Sequence, residues 1–183
     1  MDLVGLLRRA SDFYDRHLAA VRSDQWSMPS ICDGWSVKDL ADHVLGGNRF
    51  AVGMLAGLDT PTAFAAALAD GFDDDPVTAC RASMQAQLAA FEAPGALDVV
   101  VHHPAGDIGA RQFLGFRLGN LLLHGSDLAR STSGDDTLDE ELVRPFGMRI
   151  SRASVRQTIV ERSVKDRPGP SPATRRCRFV SST

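Results

Sequence analysis

The sequence predicts an all-α protein, a four-helix bundle with a long first crossover and a small β excursion between its third and fourth helices. Three observations lead there. Four long stretches repeat apolar residues at i, i+3, i+4 and i+7, the period of a helix with one buried side. The connection between the first two stretches is long and rich in turn formers. A single β-prone run, Leu97 to Val101, precedes the turn-rich HHPAGDIGA. At 183 residues the chain is long enough for one well-cored domain. Residues 1–145 are read as the bundle and 146–183 as a separate basic tail.

The first helix spans residues 3–22, with Leu3, Leu6, Leu7, Ala10, Phe13, Tyr14, Leu18 and Val21 on one side and His17 beside them. Residues 23–35 form the crossover, and its two tryptophans and Cys32 imply that it packs against the body. Ser36 has the chemistry of an N-cap, with Asp39 three residues on. The second helix follows from Val37 to about Ala56, with Val37, Leu40, Val44, Ala51 and Leu55 inward and His43 at their margin. Gly46 and Gly47 cost that helix roughly 1 kcal/mol each relative to alanine, so a backbone, a neighbouring helix or a ligand is expected to approach closely there.

Residues 57–75 read as a loop with an apolar patch around Phe64 to Leu68 and an acidic lead-in, Asp73-Asp74-Asp75, before Pro76. The third helix runs from Val77 to about Ala93, with Val77, Cys80, Met84, Leu88 and Phe91 inward, and Pro94-Gly95 ends it. On a strand, His102 and His103 point to opposite faces, so at most one lines a pocket. Asp107 is expected near the N-cap of the fourth helix, which covers Arg111 to Arg130. A further short helix is expected between Asp135 and Val143.

Composition excludes several classes. No apolar run approaches the ~18–20 residues of a membrane span, and the N-terminus lacks a signal-peptide layout. Three cysteines without CxxC spacing fit a reducing cytoplasm rather than a disulfide framework. The net charge of −3 hides an asymmetry. Up to Val143 there are 10 basic and 21 acidic residues, and from Arg144 onward 10 basic and two acidic. The tail reads in three ways: a disordered basic arm, a partly helical surface extension, or an out-of-frame end. The acidic body has no interleaved basic and aromatic face, which argues against nucleic acid as a partner.

The fourth helix, RQFLGFRLGNLLLHGSDLAR, is the most informative stretch. Leu114, Leu118, Leu121, Leu122 and Leu128 occupy one broad side. Phe113, Arg117, Asn120, His124 and Asp127 lie on a narrow arc opposite, where i, i+3 and i, i+4 spacing makes them neighbours. A polar stripe on a helix that is otherwise apolar needs partners. A satisfied core network is one explanation. The other is a metal site, because facing helices of a bundle build such sites from inward side chains, and His43 on the second helix offers a second imidazole.

The pieces DGWSVKDLADHVLGGNRF (33–50) and FRLGNLLLHGSDLAR (116–130) resemble an actinobacterial family related to the N-terminal metal-binding domain of mycothiol-dependent maleylpyruvate isomerase. That family lies within the DinB/YfiT-like superfamily of four-helix bundles, and the resemblance covers roughly residues 1–145. Its histidines fall on His43 and His124. An acidic residue usually stands four positions before the second histidine, where this chain has Asn120. The usual aromatic of HGWDLA is Ser126, and Asp127 is kept. The resemblance implies a divalent metal, zinc by preference, held by His43, Asn120 and His124. It also implies mycothiol or a similar small thiol as cofactor, and Arg117 and Asp127 as groups behind the ligands or against the substrate. The expected function is metal-based activation of a thiol for transferase or isomerase chemistry on an electrophile. The alternative is a non-catalytic or degenerate binding module of the same fold, since Asn120 removes an anionic ligand. A homodimer is open on either reading.

Overall fold

The computed structural model describes residues 2–69, 75–104, 106–138 and 140–144. Its principal helices are α1 (Leu3–Ala19), α2 (Val37–Leu55), α4 (Pro76–Glu92) and α5 (Ala110–Ser131). A shorter helix, α3 (Thr60–Leu68), follows α2, and α6 (Glu140–Val143) follows α5. Strands β1 (Val100–His103) and β2 (Gly106–Gly109) pair antiparallel with Val101 opposite Ile108, which is the expected β excursion. The main packing runs around a ring, α1 on α5, α5 on α2, α2 on α4 and α4 back on α1, with α3 laid along α2.

The helix starts follow their sequence signals. Ser36 Oγ accepts from the Asp39 amide while the Asp39 carboxylate accepts from the Ser36 amide, so two donors at the α2 terminus are satisfied reciprocally. Asp2, Asp59 and Asp75 cap α1, α3 and α4 by accepting from the amides of Gly5, Thr62 and Thr78. The core is continuous from Leu7 to Leu142. Phe13, Tyr14, Leu40, Leu45, Phe91, Phe113, Leu114 and Leu121 are among its largest buried side chains.

Two readings are corrected. The segment expected as a loop holds the helix α3, started by Asp59 and Thr60-Pro61 and carried by alanines, with Ala63 and Ala67 buried against α2. It escapes a periodicity argument because two small residues suffice as its buried face. The N-cap of α5 is Gly109, not Asp107, which sits on β2 with its carboxylate on His102 Nδ1 (2.7 Å). Residues 70–74 and 145–183, which include most of the acidic lead-in and the basic tail, lie outside the described residues.

The crossover does pack. Pro29 and Ser36 form a β-bridge, and the Val37 amide donates to the Met28 carbonyl (2.9 Å). Gly34, at φ 76°, makes a turn there that other residues resist. The next residue, Trp35, is thereby laid over the α2–α5 seam.

Candidate functional site

The site is assembled where α2 meets α5, under the crossover. His43 on α2 and His124 on α5 meet edge to face, with ring centroids 4.8 Å apart. The indole of Trp35 lies 5.0 Å from the His43 ring and 6.4 Å from that of His124, walling off one side. Asn120, one turn before His124, places Nδ2 3.4 Å from His43 Nε2. Its other polar atom, Oδ1, is buried with no hydrogen-bond partner. Buried polar atoms are normally satisfied, so an orphan oxygen beside two imidazoles needs an explanation.

Behind His124 stands Asp127, fully buried. His124 Nδ1 is 3.3 Å from Asp127 Oδ2. An ionised carboxylate only accepts, so this contact puts the imidazole proton on Nδ1 and leaves a lone pair on Nε2. A carboxylate bonded to the rear nitrogen of a histidine is the usual arrangement behind a metal-binding imidazole. Cys32 Sγ lies 3.5 Å from the same carboxylate oxygen, and potential ligand atoms of Cys32, His124 and Asp127 fall within 4.8 Å of one another. Cys32 is disulfide-bonded, against the sequence expectation of reduced cysteines, so its sulfur offers no thiolate and the trio is no second ion site; Asp127 serves His124.

Beneath the imidazoles a buried network ties three helices together. Arg117 on α5 donates from Nε to Gln87 Oε1 on α4 (2.7 Å) and from Nη2 to Asn48 Oδ1 on α2 (2.8 Å). Asn48 Nδ2 donates to Ser83 Oγ (2.9 Å), which donates in turn to the Cys80 carbonyl (2.7 Å). Gly47 explains itself here, since a Cβ at that position would sit 2.6 Å from Arg117 Nη1. The expected close approach is therefore made by a guanidinium. Arg117 is only 7% exposed, and burial pulls its pKa down to about 10. No carboxylate pairs with it among the described residues.

Electrostatics keep His43 uncharged. Its side chain keeps an exposed edge, yet partial enclosure first, then the neighbouring His124 and Arg117, push its pKa down to about 3. The neutral imidazole is the form that binds metals.

The structure thus brings together His43, Asn120 and His124, sets Asp127 behind His124 and puts Arg117 below. Elsewhere, His102 is exposed and paired with Asp107, and His103 is half-buried among Phe50, Phe113 and Phe116. His17 packs on Phe13 in α1. Sequence reasoning misses the structural roles of Asn48 and Gln87. Gln87 carries a usable signal, being a polar residue three after Met84 and seven after Cys80, in phase with the core of α4. A cleft of about 540 Å³ opens away from this site, but its charged side chains are engaged in the pairs Arg8–Glu92 and Arg111–Asp98 and in the Asp2 cap of α1.

Residues 7–129 match the family described as the mycothiol maleylpyruvate isomerase N-terminal domain. The chain belongs to that family. All five residues of the polar cluster fall inside the matched segment. Two uncharacterised proteins from two strains of Mycobacterium tuberculosis are each 35% identical to this chain over 144 residues, covering 78% of it and 74% of their own length. Two crystal structures of the mycothiol-dependent maleylpyruvate isomerase share the fold. A histidine-to-alanine mutant superposes with a TM-score of 0.59 at 19% identity, and a second structure of the enzyme with 0.58 at 16%. Each likeness covers 79% of this chain and 66% of the isomerase, so the match spans just under two thirds of that enzyme's length. The family and the helical fold expected from the sequence both stand.

Proposed function

We propose that this member of the mycothiol maleylpyruvate isomerase N-terminal domain family binds a divalent cation, zinc by preference, at His43, Asn120 and His124. We further propose that it uses the cation to present a small thiol, of the mycothiol type, to an electrophile. The observation that supports this most is the orphan Oδ1 of Asn120 beside two edge-to-face imidazoles. Two imidazole nitrogens and a carboxamide oxygen form a donor set that borderline divalent ions accept, with positions left for an external ligand.

A bound cation would stabilise the thiolate of a small thiol that is mostly protonated at neutral pH, its ordinary pKa being ~8.5. The chain's own groups do the rest. Asp127 holds the His124 tautomer and ring orientation. Trp35 covers the imidazoles and limits water on that side. Arg117 supplies a fixed positive charge below, suited to a negatively charged ligand group.

Metal analysis of the purified protein by mass spectrometry, with His124→Ala alongside, tests the reading. Near-stoichiometric zinc, nickel or manganese lost in the variant supports it. Trace metal in both proteins sinks it. A second reading, a binding module without catalysis, is favoured by the neutral Asn120. It gains if Asn120→Asp raises metal occupancy while neither form turns over electrophiles with added thiol.

A further inference from the structure

Charge around the imidazoles sets a second condition on the proposed site, provided that the site holds a cation. Every first ligand it offers is neutral: two imidazoles and one carboxamide. The negative group in contact with these ligands, Asp127, lies behind His124, bonded to its rear nitrogen, while Asp42, beside His43 in sequence, pairs with Lys38. Asp39, a turn before His43, is exposed and occupied by the Ser36 cap. Arg117 adds a positive charge instead. Its bonds go to the uncharged oxygens of Gln87 and Asn48, and it sits against Gly47, one turn beyond His43. His43 is exposed and Asn120 half-buried, but His124, Asp127 and Arg117 are buried. A dication placed here would therefore leave roughly two positive charges uncompensated at a partly enclosed site, where an unpaired charge is costly.

We infer that the cation at His43, Asn120 and His124 is held firmly only together with an anionic ligand, a thiolate, so that metal and thiol bind as a pair. Sulfur is favoured over carboxylate oxygen because imidazole sites select borderline ions that accept soft donors. The Trp35 side of the site is also apolar, which disfavours a strongly hydrated carboxylate. When the thiol binds, its S–H bond breaks, the sulfur lone pair goes to the cation, and the proton leaves to solvent. The asymmetry is a property of this chain's residue 120, because a carboxylate there would supply the missing charge permanently.

Cobalt(II) titration of the full chain, with and without N-acetylcysteamine, tests the coupling. This neutral thiol brings no second charge. The apparent Kd for cobalt is expected to fall at least about tenfold when the thiol is present, the order expected for one added opposite charge. A sulfur-to-cobalt charge-transfer band and release of one proton per bound thiol should accompany the change. Asn120→Asp should bind cobalt tightly without thiol and show a much smaller gain, while His124→Ala defines the background of cobalt and thiol free in solution. Cobalt that binds equally well with and without thiol overturns the inference and leaves the metal site standing. An equal gain from acetate overturns the preference for sulfur. Absence of cobalt binding in every arm overturns the site itself, and the inference with it.

Discussion

Asn120 and His43 are the two side chains whose chemistry bears most directly on the site. His43 ties the site to the stability of the fold through its protonation. Its pKa in the folded chain is about 3, against an ordinary value of 6.5. The unfolded chain therefore takes up a proton first as the pH falls. The contribution is fully present above about pH 6.5 and declines toward pH 3, and solvent screening at the exposed edge of His43 keeps it modest. Urea unfolding at pH 7 and pH 4.5 should show a smaller loss in His43→Gln than in the unaltered chain. Parallel losses in the two proteins would mean that His43 is not held neutral by the fold. Asn120 acts differently, through the charge it lacks. Replacing it by aspartate should raise the metal content of protein purified without added thiol, as read by mass spectrometry.

At the scale of the element, the bundle depends on helices that approach closely and start cleanly. Gly125 on α5 has no room for a side chain, since a Cβ there would lie 2.5 Å from Phe13 Cε1 and 2.8 Å from its Cδ1 on α1. Gly125→Ala should therefore destabilise the fold by about 1–3 kcal/mol through overpacking, less up to ~1 kcal/mol recovered from better helix propensity. Asp127, two residues on, is part of the His124 support, so metal content should fall with stability. Ser36→Ala removes the hydroxyl that caps α2 and should cost about 1 kcal/mol, read as a lower denaturation midpoint at unchanged slope. Because Ser36 adjoins Trp35, a cap loss that left Trp35 fluorescence and midpoint unchanged would show that the crossover is held by its backbone bonds alone.

At the scale of the whole molecule, a cation that binds only the folded chain must stabilise it. Zinc at 100 times its dissociation constant adds about 2.7 kcal/mol, so thermal unfolding should move upward with zinc and further with zinc plus thiol. The shift should vanish in His124→Ala, and a shift that survives there would place the ion elsewhere. The core runs from Leu7 to Leu142. A chain ending at residue 145 is accordingly expected to keep its helical circular dichroism and a cooperative melt. Loss of either would assign the basic tail a structural part that its composition does not announce.

Periodicity and capping chemistry by themselves determined the four principal helices, the crossover, the β excursion and the polar face of α5. These are local properties: 3.6-residue repetition marks a buried side, and Ser36 with Asp39 or Asp75 with Pro76 marks a start. The pairing of His43 with His124 was legible only with the help of the family motifs, because two single histidines 81 positions apart define no geometry. Three matters were decided by tertiary structure alone. The ring order of the helices put α2 beside α5 and so closed the imidazole pair. Packing on α2 turned an apparent loop into α3, because burying two alanines leaves no strong periodic signal. Burial converted Arg117 from an ordinary surface-type residue into an enclosed cation bonded to neutral amides. A residue's charge can be read from a sequence, but its surroundings depend on which helices enclose it, and those surroundings are what set the electrostatics of this site.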